Sequence, residues 1–225
     1  MPTFFERLTA ETESERQGLS QIPQITDALR GAISQETYLA FLEQAYHHVK
    51  CTVPLMMAAG SRLSQNQEYL REALVEYVKE EVGHQERILI DIAQAGGNAE
   101  TVRDGQPNFA TEVMVAYAFD FVCRRNPVGF FGMVFVLEGT STALATRAAD
   151  TIRQSLHLSK DCFSYLYSHG TLDIEHMKFF EQLVNKIPDK PDQDAIIHMA
   201  KCMFTLYGNV FRSIPHSHSQ AQHVA

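Results

Sequence analysis

From about residue 34 to 97, and again from about 110 to 210, apolar residues recur every three or four positions and prolines are few. That period predicts helix along nearly the whole chain. In SQETYLAFLEQAYHHVKCTVPLMMAAG, Ser34 reads as an N-cap, Tyr38, Leu42, Ala45 and Val49 share a face, and Pro54 marks a kink or a boundary. NQEYLREALVEYVKEEVGHQERILIDIAQAGG places Leu70, Leu74, Tyr77, Glu81, His84, Ile88 and Ile92 on one stripe, which Gly96 and Gly97 end. PNFATEVMVAYAFDFVCRR predicts a third helix that stops near Asn126 and Pro127. PVGFFGMVFVLEGTSTALATRAADTIRQSL predicts a fourth, with its proline suited to a first turn. SKDCFSYLYSHG and TLDIEHMKFFEQLVNKI read either as one bent helix or as two, divided at Gly170 with Thr171 as a fresh N-cap, and KPDQDAIIHMAKCMFTLYGNVFRSI closes the fold. No stretch alternates as a strand does. The expected architecture is an all-α bundle forming one domain over residues 1–213, followed by a flexible polar tail over 214–225.

Composition narrows the class. The chain has 225 residues, 45% of them apolar and 20% charged, which suits one soluble globular core. The most apolar helix is interrupted by Glu138 and a hydroxyl-bearing run, so it reads as buried and not as a membrane span. A formal charge of -8 leaves no dense basic face for nucleic acid, although a local cation in a pocket would still bind a small anion. Acids near the N-terminus and the lack of a basic stretch leading into an apolar one predict a cytoplasmic protein. Cys51, Cys123, Cys162 and Cys202 are far apart in sequence and signal neither a thiolate zinc site nor a disulfide framework; the last three are expected in the core.

The candidate chemistry lies on the inward stripes. Glu81 and His84, three residues apart, are separated by roughly 60° around a helix and fall in line with Leu74, Tyr77 and Ile88. Glu80 and Glu86 are offset toward water, and a shift of one position in the stripe exchanges Glu80 for Glu81. His169, Asp173 and His176 share a face if their helix is continuous, in register with Phe180 and Leu183, whereas Glu175 is out of phase. Glu138 is a lone carboxylate among Phe131, Val134, Phe135 and Leu137, where an unpaired charge is too costly, so it requires a cation or a proton. Three carboxylates and three imidazoles suit iron or manganese better than zinc, calcium or magnesium, and helix-bundle interiors hold such pairs of ions. The competing reading of each short pair is a solvated helix face. Glu43, His47 and His48 share a helix and read chiefly as structural. Tyr77, one turn before Glu81, either hydrogen-bonds a ligand, carries electrons or packs.

At these residues the chain resembles the heme-oxygenase-like diiron oxidases and oxygenases, a family of iron-containing redox enzymes. HxxxDxxH at His169, Asp173 and His176 carries the resemblance, with Glu138 about thirty residues upstream and the short ExxH at Glu81 and His84. Some relatives have a glutamate seven positions before that histidine, where this chain has Tyr77. The likeness covers about residues 30–213. It implies a heme-oxygenase-like bundle of about seven helices that holds two ferrous ions, with manganese as an alternative, and uses dioxygen as co-substrate. It also implies a reductant and a small amphiphilic or amino/carboxylic acid substrate, while charge and composition predict no nucleic-acid or membrane partner and an apolar helix allows a homodimer as one assembly state. Glu138 and Tyr77 are the candidate catalytic residues. On this reading Glu138 bridges the ions, Glu81 and His84 hold one, and His169 with Asp173 or His176 holds the other. Related readings are a metal-free thiaminase-like enzyme with a cysteine nucleophile and a noncatalytic binding protein; heme ligation by His47 or His48 leaves HxxxDxxH unexplained.

Overall fold

The computed structural model describes residues 2–216, and of residues 170–175 the backbone alone. The helices are α1 (Phe4–Glu11), α2 (Glu13–Ser20), α3 (Pro23–Ala28), α4 (Gln35–Val49), α5 (Thr52–Arg62), α6 (Glu68–Glu81), α7 (His84–Gln94), α8 (Ala99–Asp104), α9 (Phe109–Arg124), α10 (Phe130–Leu156), α11 (Ser164–Val184) and α12 (Lys190–Ser213). No strand occurs among the described residues. The all-α reading holds, but the expected number of about seven helices falls short for two local reasons. Three short helices precede residue 34 and a fourth, α8, follows the paired glycines, where no helix was expected, and two long helical patterns are divided.

Each division has a physical cause. Pro54 lacks an N–H and its ring opposes the carbonyl four residues back, so α4 ends at Val49 and α5 starts anew at Thr52. The second break falls between Glu81 and His84, where Gly83 takes φ +90, a left-handed conformation that glycine adopts without steric cost. Ser34 caps α4 as expected, accepting from the Thr37 amide, and Asn108 caps α9 in the same way through Thr111. The segment around Gly170 is one helix, α11, so His169, Asp173 and His176 lie on a single element.

The long helix α10 runs through the centre and packs chiefly against α11 and α12. Residues Pro127–Leu156 are long and apolar enough to cross a bilayer, but 56% of their most apolar window is buried inside the fold, as suits a core helix. The buried side chains form two groups. The larger joins α1, α2, α3, α5, α6, α9, α10, the C-terminal half of α11 and α12; the smaller joins α4, α7, the C-terminal half of α10 and the start of α11. The candidate site lies where they meet, since its cavity is walled by Met56, Phe130 and Met133 of one group and Val49 and Tyr165 of the other. Ile214 is buried beyond the end of α12, His216 Nε2 lies 2.8 Å from Asp27, and residues 217–225 lie outside the described residues. Of the three cysteines expected in the core, Cys162 is buried, Cys202 is half-buried and Cys123 is exposed, because the face of α9 that carries Cys123 turns to solvent.

Gly132 sets how closely α10 approaches α12. A Cβ there would collide with the Ile196 carbonyl and the Ala200 amide, both backbone groups of α12 that no side-chain rotation can move. Gly132→Ala is therefore expected to lower stability by about 3 kcal/mol, the upper range for overpacking, as a shift in the urea midpoint at unchanged slope.

Candidate metal centre

The elbow between α6 and α7 brings the C-terminal carboxylates of α6 and the first residue of α7 against α11. Glu81 and His84 are both buried, and His84 Nδ1 lies 3.1 Å from Glu81 Oε2. The His84 ring meets the His169 ring of α11 edge to face, with centroids 5.0 Å apart. One donor atom from each of Glu81, His84 and His169 lies within 4.8 Å of the others. Donors at about 2.1 Å from one ion are at most about 4.2 Å apart, so small side-chain rotations would close the three on a cation. Two imidazoles and a carboxylate form a donor set suited to iron, manganese or zinc.

Glu138 and His176 lie beside this triad. Glu138 lines the same cavity as Glu81, His169 and His48, and its Oε1 is 3.6 Å from Nδ1 of the buried His176. His176 Nε2 in turn lies 2.6 Å from Glu80 Oε2. Glu80 stands half in solvent, in keeping with its offset position, yet its carboxylate reaches the constellation. Consecutive helix residues point about 100° apart, so Glu80 serves His176 while Glu81 serves His84 and His169. His169 joins Glu81 and His84 in space, although it stands seven residues from His176 on α11. Asp173 and Glu175 lie outside the described side chains. Tyr77 is buried, with its ring edge-on to His176 at 5.8 Å and to Phe179 at 5.8 Å.

Two side chains with little sequence signal also bear on the site. His48 of α4 lines the cavity, where burial holds its pKa down to about 4; nearby His169 and His47 push the same way and Glu81 opposes them. His47 faces elsewhere, is 1% exposed, and has neither ring nitrogen hydrogen-bonded among the described residues. Burial, with a smaller contribution from Lys50, lowers its pKa to about 4 as well. Both imidazoles fold neutral. Between pH 6.5 and about 4 the unfolded chain takes up protons that the folded chain refuses, so stability is full above pH 6.5 and falls as pH drops through that window. The expected loss approaches about 3 kcal/mol per imidazole, read from denaturant midpoints at stepped pH, and His47→Gln should remove part of the slope.

The second is Asp91, an acid within the apolar stripe of α7. It is fully buried and accepts from the Ser164 amide at 3.0 Å, the Ser164 hydroxyl at 2.6 Å and the Tyr165 amide at 2.8 Å. Burial raises its pKa and these three bonds oppose the rise. Asp91 thereby caps the first turn of α11 from α7, and the two helices run antiparallel, joined at Asp91 at one level and at His84 with His169 at the other. The sequence signal was a carboxylate at the core-facing spacing of Ile88 and Ile92, the same signal that marked Glu138.

The family described as iron-containing redox enzyme matches residues 39–208, a span from α4 into α12 that contains every candidate ligand. No curated protein matches. Solved structures do. A domain of unknown function with a heme oxygenase-like fold from Shewanella denitrificans superposes with TM-score 0.81 at 20% identity, covering 94% of this chain and 91% of that one. A TenA homologue from P. horikoshii gives 0.77 at 10% identity, covering 94% and 97%. A heme oxygenase from Leptospira interrogans gives 0.74 at 15% identity, covering 93% and 98%. At these identities the likeness establishes the fold, a heme-oxygenase-like helical bundle.

Proposed function

The chain belongs to the family of iron-containing redox enzymes, and from that premise we propose that it is a nonheme diiron oxidase or oxygenase acting on a small amphiphilic acid. The observation that carries this reading is the convergence of Glu81, His84 and His169 from α6, α7 and α11 at a buried cavity. Those three would hold one ion, and Glu138 and His176, 3.6 Å apart at the same cavity, would serve a second; Asp173 is the further ligand that the HxxxDxxH spacing offers. Two ferrous ions would supply the activation of dioxygen, a task for which no protein side chain suffices.

The chain's own groups do the rest. Glu138 supplies a charge that neutralises the cations in an apolar surround. Tyr77 packs on His176 and limits its rotation, a positioning role. Glu80 holds His176 Nε2 from the solvent side. Met56, Phe130, Met133 and Leu137 wall the cavity and exclude water, which strengthens every electrostatic contact inside. Manganese suits the same donors. An external reductant and a cytoplasmic location belong to the same proposal.

A second reading, a metal-free protein of this fold, has one observation in its favour: Glu81 and His84 already satisfy each other at 3.1 Å. Its thiaminase-like form needs a thiol beside the substrate, and none of the four cysteines lines the cavity or the apolar chamber next to it. A binding protein without turnover is the form that remains. Anaerobic reconstitution with ferrous iron, followed by desalting and elemental analysis, separates the two. Close to two irons per chain, with oxygen uptake on adding a reductant, is expected; a chain that emerges free of metal overturns the diiron reading.

A further inference from the structure

Beside the metal-site cavity of about 80 Å³ lies a second chamber of about 90 Å³, bounded by α3, α4, α10, α11 and α12. Ser141, Tyr165, His169 and Tyr207 line both, so the chamber opens on the His169 side of the donor triad. Among the described residues, no lysine, arginine, aspartate or glutamate lines the second chamber. Several of its polar side chains are already engaged with the protein. Tyr38 donates its hydroxyl to the Cys162 carbonyl at 2.6 Å, Thr37 Oγ1 lies 3.1 Å from the Ser34 hydroxyl, and the Gln24 amide turns to the Arg212 and Ile214 carbonyls. The room itself comes from small residues, Ala145 and Ala148 of α10 facing Ala28 of α3.

We propose that this chamber takes the uncharged hydrocarbon end of the substrate, and that the reacting polar group extends past Ser141 and His169 to the donors. The proposal rests on the diiron reading and adds the class of substrate to it: one polar head, and a distal part that carries no charge. Placing a charged group in a chamber without a counter-charge costs several kcal/mol, so acids with a second ionised group at the far end are excluded. Size sets the other limit. The chamber equals about three waters in volume, and together the two spaces exceed the roughly 150 Å³ in which a dry apolar cavity takes up benzene. A single ring or a short branched chain fits, whereas a fused polycyclic system does not.

The probe is fluorobenzene, followed by 19F NMR on the metal-free full chain, with 4-fluorobenzoate, charged at one end, and 2-fluoroterephthalate, charged at both, as its ionised counterparts. Fluorobenzene is expected to bind, and the dicarboxylate to bind at least about tenfold more weakly than the monocarboxylate. Ala148→Phe, which fills the chamber from α10, should abolish binding. Leu144→Ala, which enlarges it, should tighten 1-fluoronaphthalene about tenfold and keeps the test alive if the filling variant fails to fold. Manganese(II) bound at the donors should broaden the fluorobenzene line through its unpaired electrons. Absence of fluorobenzene binding, equal binding of the two acids, or indifference to both variants overturns the proposal while leaving iron uptake intact. Fluorobenzene binding in a chain that takes no metal leaves the chamber standing and removes the diiron reading instead.

Discussion

Replacing His169 by alanine is expected to weaken cobalt(II) binding at the triad by at least about a hundredfold and to remove the visible d–d bands of the bound ion. Partners that merely orient a metal ligand already account for ten- to a hundredfold in affinity, so loss of a ligand should exceed that range. The geometry makes His169 the informative choice. Among the described residues it is the donor of α11 that meets the Glu81–His84 pair, and its ring sits 5.0 Å from that of His84. Without it, Glu81 and His84 remain 3.1 Å apart and can satisfy each other, so the apo fold should change little. The measurement is a cobalt titration followed by absorbance, with thermal midpoints of the metal-free variants beside it. His198→Ala is the control, since His198 is exposed on α12 beside Tyr117 and Cys202, away from the cavity. Wild-type affinity in His169→Ala would show that the three donors do not act together.

Asp91→Ala should cost more stability than any other single change considered in this protein, about 3 to 5 kcal/mol. The substitution strands the Ser164 and Tyr165 amides and the Ser164 hydroxyl in a buried place, and each lost partner is worth about 1 to 3 kcal/mol, with overlap among the three. For a chain of this length the thermal midpoint should fall by roughly 10 °C. Ser164→Ala, which removes only the hydroxyl bond, should lose about 1 kcal/mol. Asp91→Asn should fall between them, because an amide oxygen still accepts while its NH₂ confronts donors. Metal affinity should follow the same order if Asp91 holds α7 and α11 in register for His84 and His169. A variant that melts early yet binds cobalt with wild-type affinity would limit Asp91 to stability.

The helical class was legible because apolar spacing of three and four residues is a local property that burial simply uses. So were the cap at Ser34 and the end of α7 at paired glycines. The break inside EEVGH was not legible. Gly83 can sit within a helix at a modest cost, and only packing of α7 against α4 and α11 makes its left-handed conformation the better choice. The N-terminal helices were missed because each is eight residues or shorter and is stable only by docking, on α12 for α1, α2 and α3 and also on α11 for α1.

The candidate site divides in the same way. Glu81, His84, Glu138, His169 and His176 were marked by type and phase, since polar residues on an apolar stripe must find partners in the interior. Phase says which way a side chain leaves its own helix but nothing about what meets it, so the meeting of His169 with Glu81 and His84, the hold of Glu80 on His176, and the entry of His48 into the cavity are contacts between distant segments. The sequence by itself determined an all-α fold and the donor types turned to its interior, because both follow from periodicity within single helices. Which donors face one another, and what uncharged space lies beside them, only the tertiary structure decided, through the elbow at Gly83 and the antiparallel registration of α7 with α11.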